Sequence, residues 1–331
     1  MPLPLPEIDY RGLTALAGLL CEAKRHRVLM LSGGGARHLS SVLPELARFE
    51  VEAFTEARRH VPKELVERAL TAFDAFRADA VVSVGGGSAT GLGKALRLSR
   101  TFFFIAVPTT YAGSELTDIY AVTSGASKQA GRDSRVVPDV ALYDVKLTLD
   151  MPMGLSVTSL LNALAHPLSA LSTGSLKGAA FERALEAARK VLRALAEIVS
   201  DPRDMDGRRA ALEGTVLAGQ VLRESTVGLQ HHMAHALGGR FDLDHAGLHS
   251  VLLPHFAAWM ELHATEAHDA LRRRLGDDAL AGTLFDLLSS AGVPVSLAGM
   301  GLPEGAFHAF VSTHPELPAD VLQAAFSGRR P

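Results

Sequence analysis

The sequence predicts an α/β domain with a parallel sheet in its first half and an all-helical domain in its second half. Through the first half, short apolar runs alternate with segments whose apolar residues recur every three or four positions. Strands separated by helices favour a parallel sheet with helices on both faces. From residue 152 onward only helical patterns remain. We therefore expect an α/β domain over residues 1–150 and a helical domain over residues 151–331, with a ligand site in the cleft between them.

Strand-like and helical segments of the first half alternate in chain order. The expected strands are rich in Val, Leu and Phe and lie at residues 27–35 (with a glycine turn), 49–54, 80–84 and 101–107. Helical patterns lie at residues 36–49 and 64–78. Residues 118–147 have the alternation and the glycine turn of a hairpin that returns to a last strand.

Helical patterns fill the second half. They cover residues 155–171, 177–200, 206–238, 247–263 and 266–275, with weaker ones toward the end. Pro167 lies inside the first of them, where it removes one backbone donor and crowds the carbonyl four residues earlier. We expect it to disturb that helix.

Composition and charge exclude several classes of protein. The 331 residues are 47% hydrophobic and 21% charged, and the formal charge of −3 gives no field that would attract nucleic acid or an anionic membrane. No apolar run approaches the roughly 20 residues that cross a bilayer, and the first residues lack the pattern of a secretory signal. The single cysteine, Cys21, cannot form an internal disulfide. We expect a cytoplasmic protein without nucleic-acid or membrane partners.

A glycine turn follows the expected strand at residues 80–84. In VVSVGGGSATGLGKALRL, residues 81–98, apolar residues lead into Gly85, Gly86 and Gly87 before a helical pattern begins. Glycines let a pyrophosphate approach the main chain, and a helix N-terminus leaves N–H groups free to hold it.

A second turn follows the next expected strand. The run that ends at Val107 leads into Pro108, Thr109 and Thr110, which places two hydroxyl groups at the same edge of the sheet. Two such turns at the carboxyl ends of successive parallel strands predict a nucleotide site in a Rossmann-like, dinucleotide-binding domain.

Histidines recur at helical spacing in the second half. Asn162 and His166 are four residues apart, His231 and His235 repeat that spacing, and His245 follows a Gly-Gly break. Residues four apart lie on one face of a helix, so these side chains can converge on a metal or act as an acid beside a substrate. The alternative is a set of hydrogen-bonded core or surface histidines. Asn162 argues against a metal because an amide oxygen is a neutral, weak ligand.

Taken together, these residues resemble the iron-containing alcohol dehydrogenase superfamily and, within it, the maleylacetate reductases. The resemblance covers nearly the whole chain and implies the dehydroquinate synthase-like fold of that superfamily. It depends on separate motifs in one order: GGGSATGLGKA (85–95), AVPTTYAGSELT (106–117), KQAGRDSRVVPDVALYD (128–144), GLSVTSLLNALAH (154–166), HHMAHALGGRFDLDHAGLHSVLLPH (231–255) and the closing GRRP.

The resemblance implies a nicotinamide cofactor on the two turns. The positions implied to bind it are Gly85, Gly86, Gly87, Ser88, Thr109, Thr110 and Ser114. NADH is the usual donor in the family. NADPH is the alternative, because the turn after the first strand has no acidic residue for a ribose hydroxyl and Arg37 could meet a 2′-phosphate.

The resemblance also implies a catalytic site without a metal. An Asp and three His hold the metal in metal-dependent relatives, and the matching positions here are Asn162, His166, His231 and His245. Without a Lewis acid, charge developing on the substrate oxygen needs a proton or another positive group as hydride passes to the ketone carbon. His235 is the expected general acid, supported by His231, His245 and Lys128.

Maleylacetate carries two carboxylates, so its reductases need cationic partners. The resemblance implies that Arg132, in the same loop as Lys128, binds substrate together with Asn162 and His166. The chain departs from the reductase pattern at Asp118, Pro167 and Ser169. We therefore expect an NAD(P)H-dependent, metal-independent reductase of an anionic oxo-acid of the maleylacetate type.

Other functions stay open at this point. A metal-dependent alcohol dehydrogenase would have to tolerate Asn162, and a family member recruited to lyase or cyclase chemistry would keep the glycine turns only as scaffold. A non-catalytic partner protein is a further alternative. The family is often dimeric through an edge strand near the N-terminus, and residues 1–10 are apolar enough to cover such an edge, so a homodimer is expected.

Overall fold

The chain forms two compact units, residues 1–151 and residues 152–331. A computed structural model describes residues 5–33, 36–125, 127–226, 228–276 and 278–331, without the side chains of residues 127 and 128. Within these ranges, no helix is long and apolar enough to cross a membrane.

Parallel strands form the centre of the first unit. They are β1 (Glu7–Asp9), β2 (Arg27–Gly33), β3 (Glu50–Ala57), β4 (Ala80–Gly85), β5 (Phe103–Pro108) and β8 (Val140–Leu142). Within the described residues they make one six-stranded sheet in the order β1-β8-β5-β4-β2-β3, with every pair parallel. Two strands between β5 and β8, β6 (Ile119–Ser124) and β7 (Ser127–Arg132), pair antiparallel as the expected hairpin.

The central strands are continuous apolar runs because both faces of the sheet are covered. Val81 and Val82 on β4 and Phe104 and Ile105 on β5 are fully buried, with successive residues in two separate core clusters. Strands buried on both faces lose the usual alternation of apolar and polar residues. The predicted parallel α/β domain is confirmed.

Helices of the first unit cover the sheet. They are α1 (Leu16–Glu22), α2 (Leu39–Val42), α3 (Lys63–Phe76) and α4 (Gly87–Arg97). The prediction of one helix over residues 36–49 is wrong, because α2 has four residues and passes into a 3₁₀ turn that contains Pro44. Pro44 has no N–H to donate, so an α-helix cannot continue through it without losing a bond.

The second unit is helical throughout its described residues. Its helices are α5 (Met153–Ser172), α6 (Gly178–Ser200), α7 (Met205–Glu224), α8 (Leu229–Phe241), α9 (His245–His263), α10 (Thr265–Leu275), α11 (Leu280–Ser290), α12 (Glu304–Thr313) and α13 (Ala319–Ser327). This confirms the predicted all-helical half.

Two expectations about these helices are wrong. The single helix expected over residues 206–238 is divided into α7 and α8, because Ser225 and Gly228 have extended backbone. α5 is not broken at Pro167 and continues to Ser172. Pro167 is buried on a helix whose neighbours are also buried, so packing on all sides holds the helix where the local sequence disfavours it.

Gly93 sets the distance between α4 and the sheet. A Cβ atom at this position would lie 2.4 Å from Cζ of Phe104, which is fully buried on β5. We expect Gly93→Ala to lower the free energy of unfolding by about 1–3 kcal/mol, the usual cost of overpacking a core. Urea denaturation followed by circular dichroism measures this.

Gly18→Ala is the matched control. Gly18 is exposed on α1, and its Cβ would meet no atom within 4 Å. Alanine there should raise the free energy of unfolding by up to about 1 kcal/mol through helix propensity. Equal effects of the two substitutions would contradict a close helix–sheet contact at Gly93.

Candidate active site

The first predicted cofactor turn joins β4 directly to α4. Gly85 ends the strand with φ of 150°, Gly86 is the N-cap, and no described side chain caps the helix there. The amides of Ala89 and Thr90 already bond to the carbonyl of Gly86. The N–H groups of the first helical turn before them have no partner inside the helix, so this end suits an anion.

The second turn lies against the first. The amide of Thr109 donates to the carbonyl of Gly85 at 3.0 Å. A Cβ atom on Gly86 would lie 2.9 Å from Oγ1 of Thr110, so a glycine is needed where the two turns meet. The structure thus brings the two predicted turns together at one sheet edge.

Ser114 adds a hydroxyl group to this edge. Its Oγ lies 4.0 Å from where a Cβ of Gly87 would stand. That oxygen is buried and has no hydrogen-bond partner among the described residues. With the hydroxyls of Ser88 and Thr110 and the helix N-terminus, it gives a set of neutral donors that fits a pyrophosphate.

Arg132, the predicted substrate cation, is held by Asp118. Its Nη1 donates to Oδ1 of Asp118 at 2.8 Å, and the Asp118 side chain is only 4% exposed against 39% for Arg132. The guanidinium charge is therefore partly neutralised, which the sequence reasoning did not anticipate. Lys128, the other predicted cation of this loop, has a side chain that lies outside the described part of the structure.

Histidines from three helices form a cluster in the second unit. His166 lies on α5, His231 and His235 on α8, and His245 and His249 at the start of α9. Their ring centroids form a connected series. The separations are 5.2 Å (His166–His231), 6.1 Å (His231–His235), 4.5 Å (His231–His249), 5.6 Å (His235–His245) and 4.4 Å (His245–His249).

Burial divides this histidine cluster. His166, His231 and His249 are buried, whereas His235 and His245 are exposed. Several buried atoms have no hydrogen-bond partner among the described residues: Oδ1 of Asn162, Nδ1 of His166, both ring nitrogens of His231 and Nε2 of His249. Buried polar atoms usually have partners, so this concentration of unsatisfied atoms marks a functional site rather than a plain core.

Burial also keeps the inner imidazoles neutral. It lowers the pKa of His166 to about 3, with a further contribution from His245. The pKa values of His231 and His249 fall well below the usual value, first through burial and then through the neighbouring histidines. The cluster therefore presents neutral ring nitrogens inside and two exposed imidazoles outside.

His249 is a member of the histidine cluster that the sequence analysis missed. The amide Nε2 of Gln230 lies 3.4 Å from the carbonyl oxygen of His249, and Oε1 lies 2.9 Å from Nδ1. A carbonyl oxygen only accepts, so the amide nitrogen faces it and Oε1 faces the ring. Nδ1 must then carry the hydrogen and Nε2 is an acceptor. The spacing of four from His245 was the signal in the sequence.

Solved structures define the class of protein to which this fold belongs. The crystal structure of a maleylacetate reductase from Agrobacterium tumefaciens matches with a TM-score of 0.90 and 34% identity, covering 100% of both chains. That of a maleylacetate reductase from Rhizobium sp. strain MTP-10005 matches with a TM-score of 0.89 and 34% identity, covering 99% and 98%. The fold is that of the iron-type alcohol dehydrogenases.

Sequence comparison assigns the family. Residues 10–145 match the model "Iron-containing alcohol dehydrogenase", and residues 156–317 match "Fe-containing alcohol dehydrogenase family, C-terminal". The chain belongs to the iron-containing alcohol dehydrogenase family and is an oxidoreductase. A maleylacetate reductase from Burkholderia cepacia is 41% identical over 301 residues, 90% of this chain and 81% of the relative. The predicted resemblance to the maleylacetate reductase branch is confirmed.

The family description implies iron, and the donor set here does not fit it. The four matching positions supply one amide and three imidazoles, none of which carries negative charge. Among the described residues, no group of three or more His, Cys, Asp or Glu side chains is arranged to hold a metal ion.

The buried, neutral imidazoles of the histidine cluster predict that the protein loses stability in acid. The unfolded chain binds protons on its histidines near pH 6.5, whereas folded His166 binds one only near pH 3. Since the folded pKa is lowered, the free energy of unfolding should fall as the pH drops below about 6.5, by about 1.4 kcal/mol per pH unit for each buried imidazole. Urea denaturation at a series of pH values measures the slope.

Two variants test whether this pH dependence comes from the buried histidines of the cluster. His249→Gln should reduce the slope by the contribution of one proton. His263→Gln should leave it unchanged, because His263 is exposed on the last turn of α9. A slope that responds equally to both substitutions would show that His249 is not buried in its neutral form.

Proposed function

We propose that this protein is an NAD(P)H-dependent, metal-independent reductase of an anionic oxo-acid, of the type that converts maleylacetate to 3-oxoadipate. The observation that supports metal independence best is Asn162, a neutral amide at the position where the resemblance places an acidic metal ligand. The maleylacetate reductases that align over most of the chain support the same substrate class.

The two turns support a dinucleotide cofactor. The uncapped start of α4 and the unpartnered Ser114 hydroxyl suit its pyrophosphate. We favour NADH over NADPH, because the Arg37 guanidinium donates to the carbonyl of Asp150 at 3.4 Å. A 2′-phosphate would have to compete with that contact. When bound, the cofactor supplies the hydride.

The substrate's own chemistry determines where charge develops. Conversion of maleylacetate to 3-oxoadipate saturates a C=C bond conjugated to a ketone, so the hydride goes to the alkene carbon β to the ketone. The electron pair moves to the ketone oxygen as an enolate, which then takes one proton at the α carbon. This replaces our expectation of hydride delivery to the ketone carbon, because addition there would leave the double bond and give an alcohol.

The exposed histidines are the proposed donors to this enolate. His235 is the proposed general acid, with His245, 5.6 Å away between ring centroids, as its partner. His166 stays neutral because its pKa is about 3, so it is not a cationic donor near neutral pH. His231 and Asn162 would complete the pocket as neutral groups.

Arg132 is the proposed partner of a substrate carboxylate. Asp118 holds one of its nitrogens, which orients the guanidinium and lowers its net charge. Lys128 is a proposed second cation of the same hairpin. Because Asp118 partly neutralises Arg132, the arginine should favour a doubly charged substrate over a singly charged one less strongly than a guanidinium without a carboxylate partner would.

Two broader proposals concern the state of the protein. We propose a cytoplasmic homodimer without nucleic-acid or membrane partners. β1 is an edge strand of the described sheet, which supports contact between copies along that edge.

Metal independence is tested with chelator-treated protein. We expect NADH to bind more tightly than NADPH, and we expect NADH to be oxidised when maleylacetate is added, with no gain from Fe²⁺ or Zn²⁺. Turnover that appears only after metal is added would establish a metal-dependent dehydrogenase instead. Failure to bind either nucleotide would remove the redox function altogether and favour a non-redox role.

The general acid is tested with His235→Ala. We expect kcat to fall by about 100-fold or more while the Kd for NADH changes little, because a proton donor acts in the chemical step. His232→Ala is the matched control, since His232 is an exposed histidine on the same helix outside the series of rings. Equal loss in both variants would contradict a specific role for His235.

A further inference from the structure

Lys94 is a buried cation on α4, two helical turns after the glycine turn. The residue is 2% exposed, and most residues of α4 from Ala89 to Leu96 are buried with it. Burying an ammonium group is costly unless its hydrogens find acceptors. The contacts of Lys94 should therefore explain why this basic side chain is buried.

The hydrogen bonds that Lys94 makes to described residues all reach one short segment, residues 114–119. Nζ donates to the carbonyl of Ser114, to the carbonyl and hydroxyl of Thr117 at 2.7 and 3.0 Å, and to the carbonyl of Ile119 at 2.9 Å. Carbonyl oxygens only accept, so an ammonium group with three hydrogens matches them, whereas a neutral amine would direct a lone pair at them. One side chain thus fixes the segment that follows the second turn.

Burial and the neighbouring carboxyl groups act on the pKa of Lys94 in opposite directions. Burial lowers the pKa of Lys94 to about 7, and the carboxylates of Glu115 and Asp118 act in the opposite direction. Glu115 is itself buried and accepts a hydrogen bond from Tyr143 at 2.7 Å. Lys94 and Glu115 therefore belong to a buried polar region beside the cofactor turns, in which the carbonyl oxygens around Nζ match an ammonium group.

The segment held by Lys94 carries functional groups at both ends. Its first residue, Ser114, presents the unpartnered hydroxyl near the start of α4. Near its other end, Asp118 lies between two of the carbonyl groups that accept from Lys94 and holds Arg132. The geometry of both groups depends on where this segment lies relative to α4.

We propose that Lys94 is a positioning residue of the dinucleotide site: its ammonium group holds residues 114–119 against α4 and so sets the Ser114 hydroxyl beside the helix N-terminus that receives the cofactor phosphates. This inference rests on the proposed function and adds a residue that does not itself contact the cofactor. Removing Nζ should weaken dinucleotide binding through Ser114 rather than through a lost direct contact.

Lys94→Met tests this because methionine keeps most of the volume and removes the donor. The Kd for NADH is measured by fluorescence, and the midpoint of thermal unfolding is measured on the same samples. We expect the Kd to rise by about tenfold or more, the scale of one hydrogen bond to a charged group. Wild-type protein is titrated first; failure to bind NADH or NADPH would end both this inference and the proposed function.

Arg97→Met separates positioning from loss of stability. Arg97 lies on the same helix, and its guanidinium bonds to the carbonyls of Phe102 and Val137, outside residues 114–119. The Arg97→Met substitution should lower the midpoint of thermal unfolding while leaving the Kd for NADH within about twofold of wild type. An unchanged Kd in Lys94→Met, or an equal rise in both variants, would overturn the positioning role while the wild-type titration leaves the proposed function intact.

A double-mutant cycle with Ser114→Ala gives a second readout, which does not need Lys94→Met to fold. Lys94→Gln keeps a shorter donor and is the milder partner. If Lys94 acts through Ser114, Ser114→Ala should raise the Kd in the wild-type background and add little in the Lys94→Gln background. Fully additive effects would overturn the inference.

Discussion

The parallel pairing of β4 with β5 is the constraint on which the first unit depends. Its register places Gly85 opposite Pro108, so both strands end at the same level and their turns leave from one edge. Because successive residues of these strands pack into two different core clusters, a slip of one residue would move side chains into the wrong cluster and leave backbone groups unpaired. The glycine turn, the threonine turn and the start of α4 are brought together by this pairing before any ligand is considered.

Buried basic side chains have different partners in the two units. In the first unit a buried lysine is retained, and oxygens of residues 114–119 surround it. In the second unit the buried imidazoles are kept neutral, and the burial that lowers the pKa of His166 also prevents it from becoming a cation. The first arrangement makes a rigid support, and the second makes a set of neutral donors and acceptors beside two exposed rings.

Local patterns predicted much of this molecule because its elements follow the rules of periodicity. The strand at Arg27–Gly33 and the helix at Gly178–Ser200 lie within two residues of the predicted limits. The failures have separate causes. Pro167 stays inside a helix because surrounding side chains pack against it, and the break near Gly228 has no composition signal strong enough to override the helical spacing on either side.

The sequence alone predicts the fold class, the family, the glycine turn, the threonine turn and the histidines spaced four apart, because these depend on residues close together in the chain. Only the packed structure shows that His249 lies in the histidine cluster and that Asp118 binds Arg132. It also shows that the contact with Gln230 sets the tautomer of His249. It also placed Lys94 against a segment 20 to 25 residues further along. These contacts join side chains from separate elements, and their distances and burial follow only from how those elements pack.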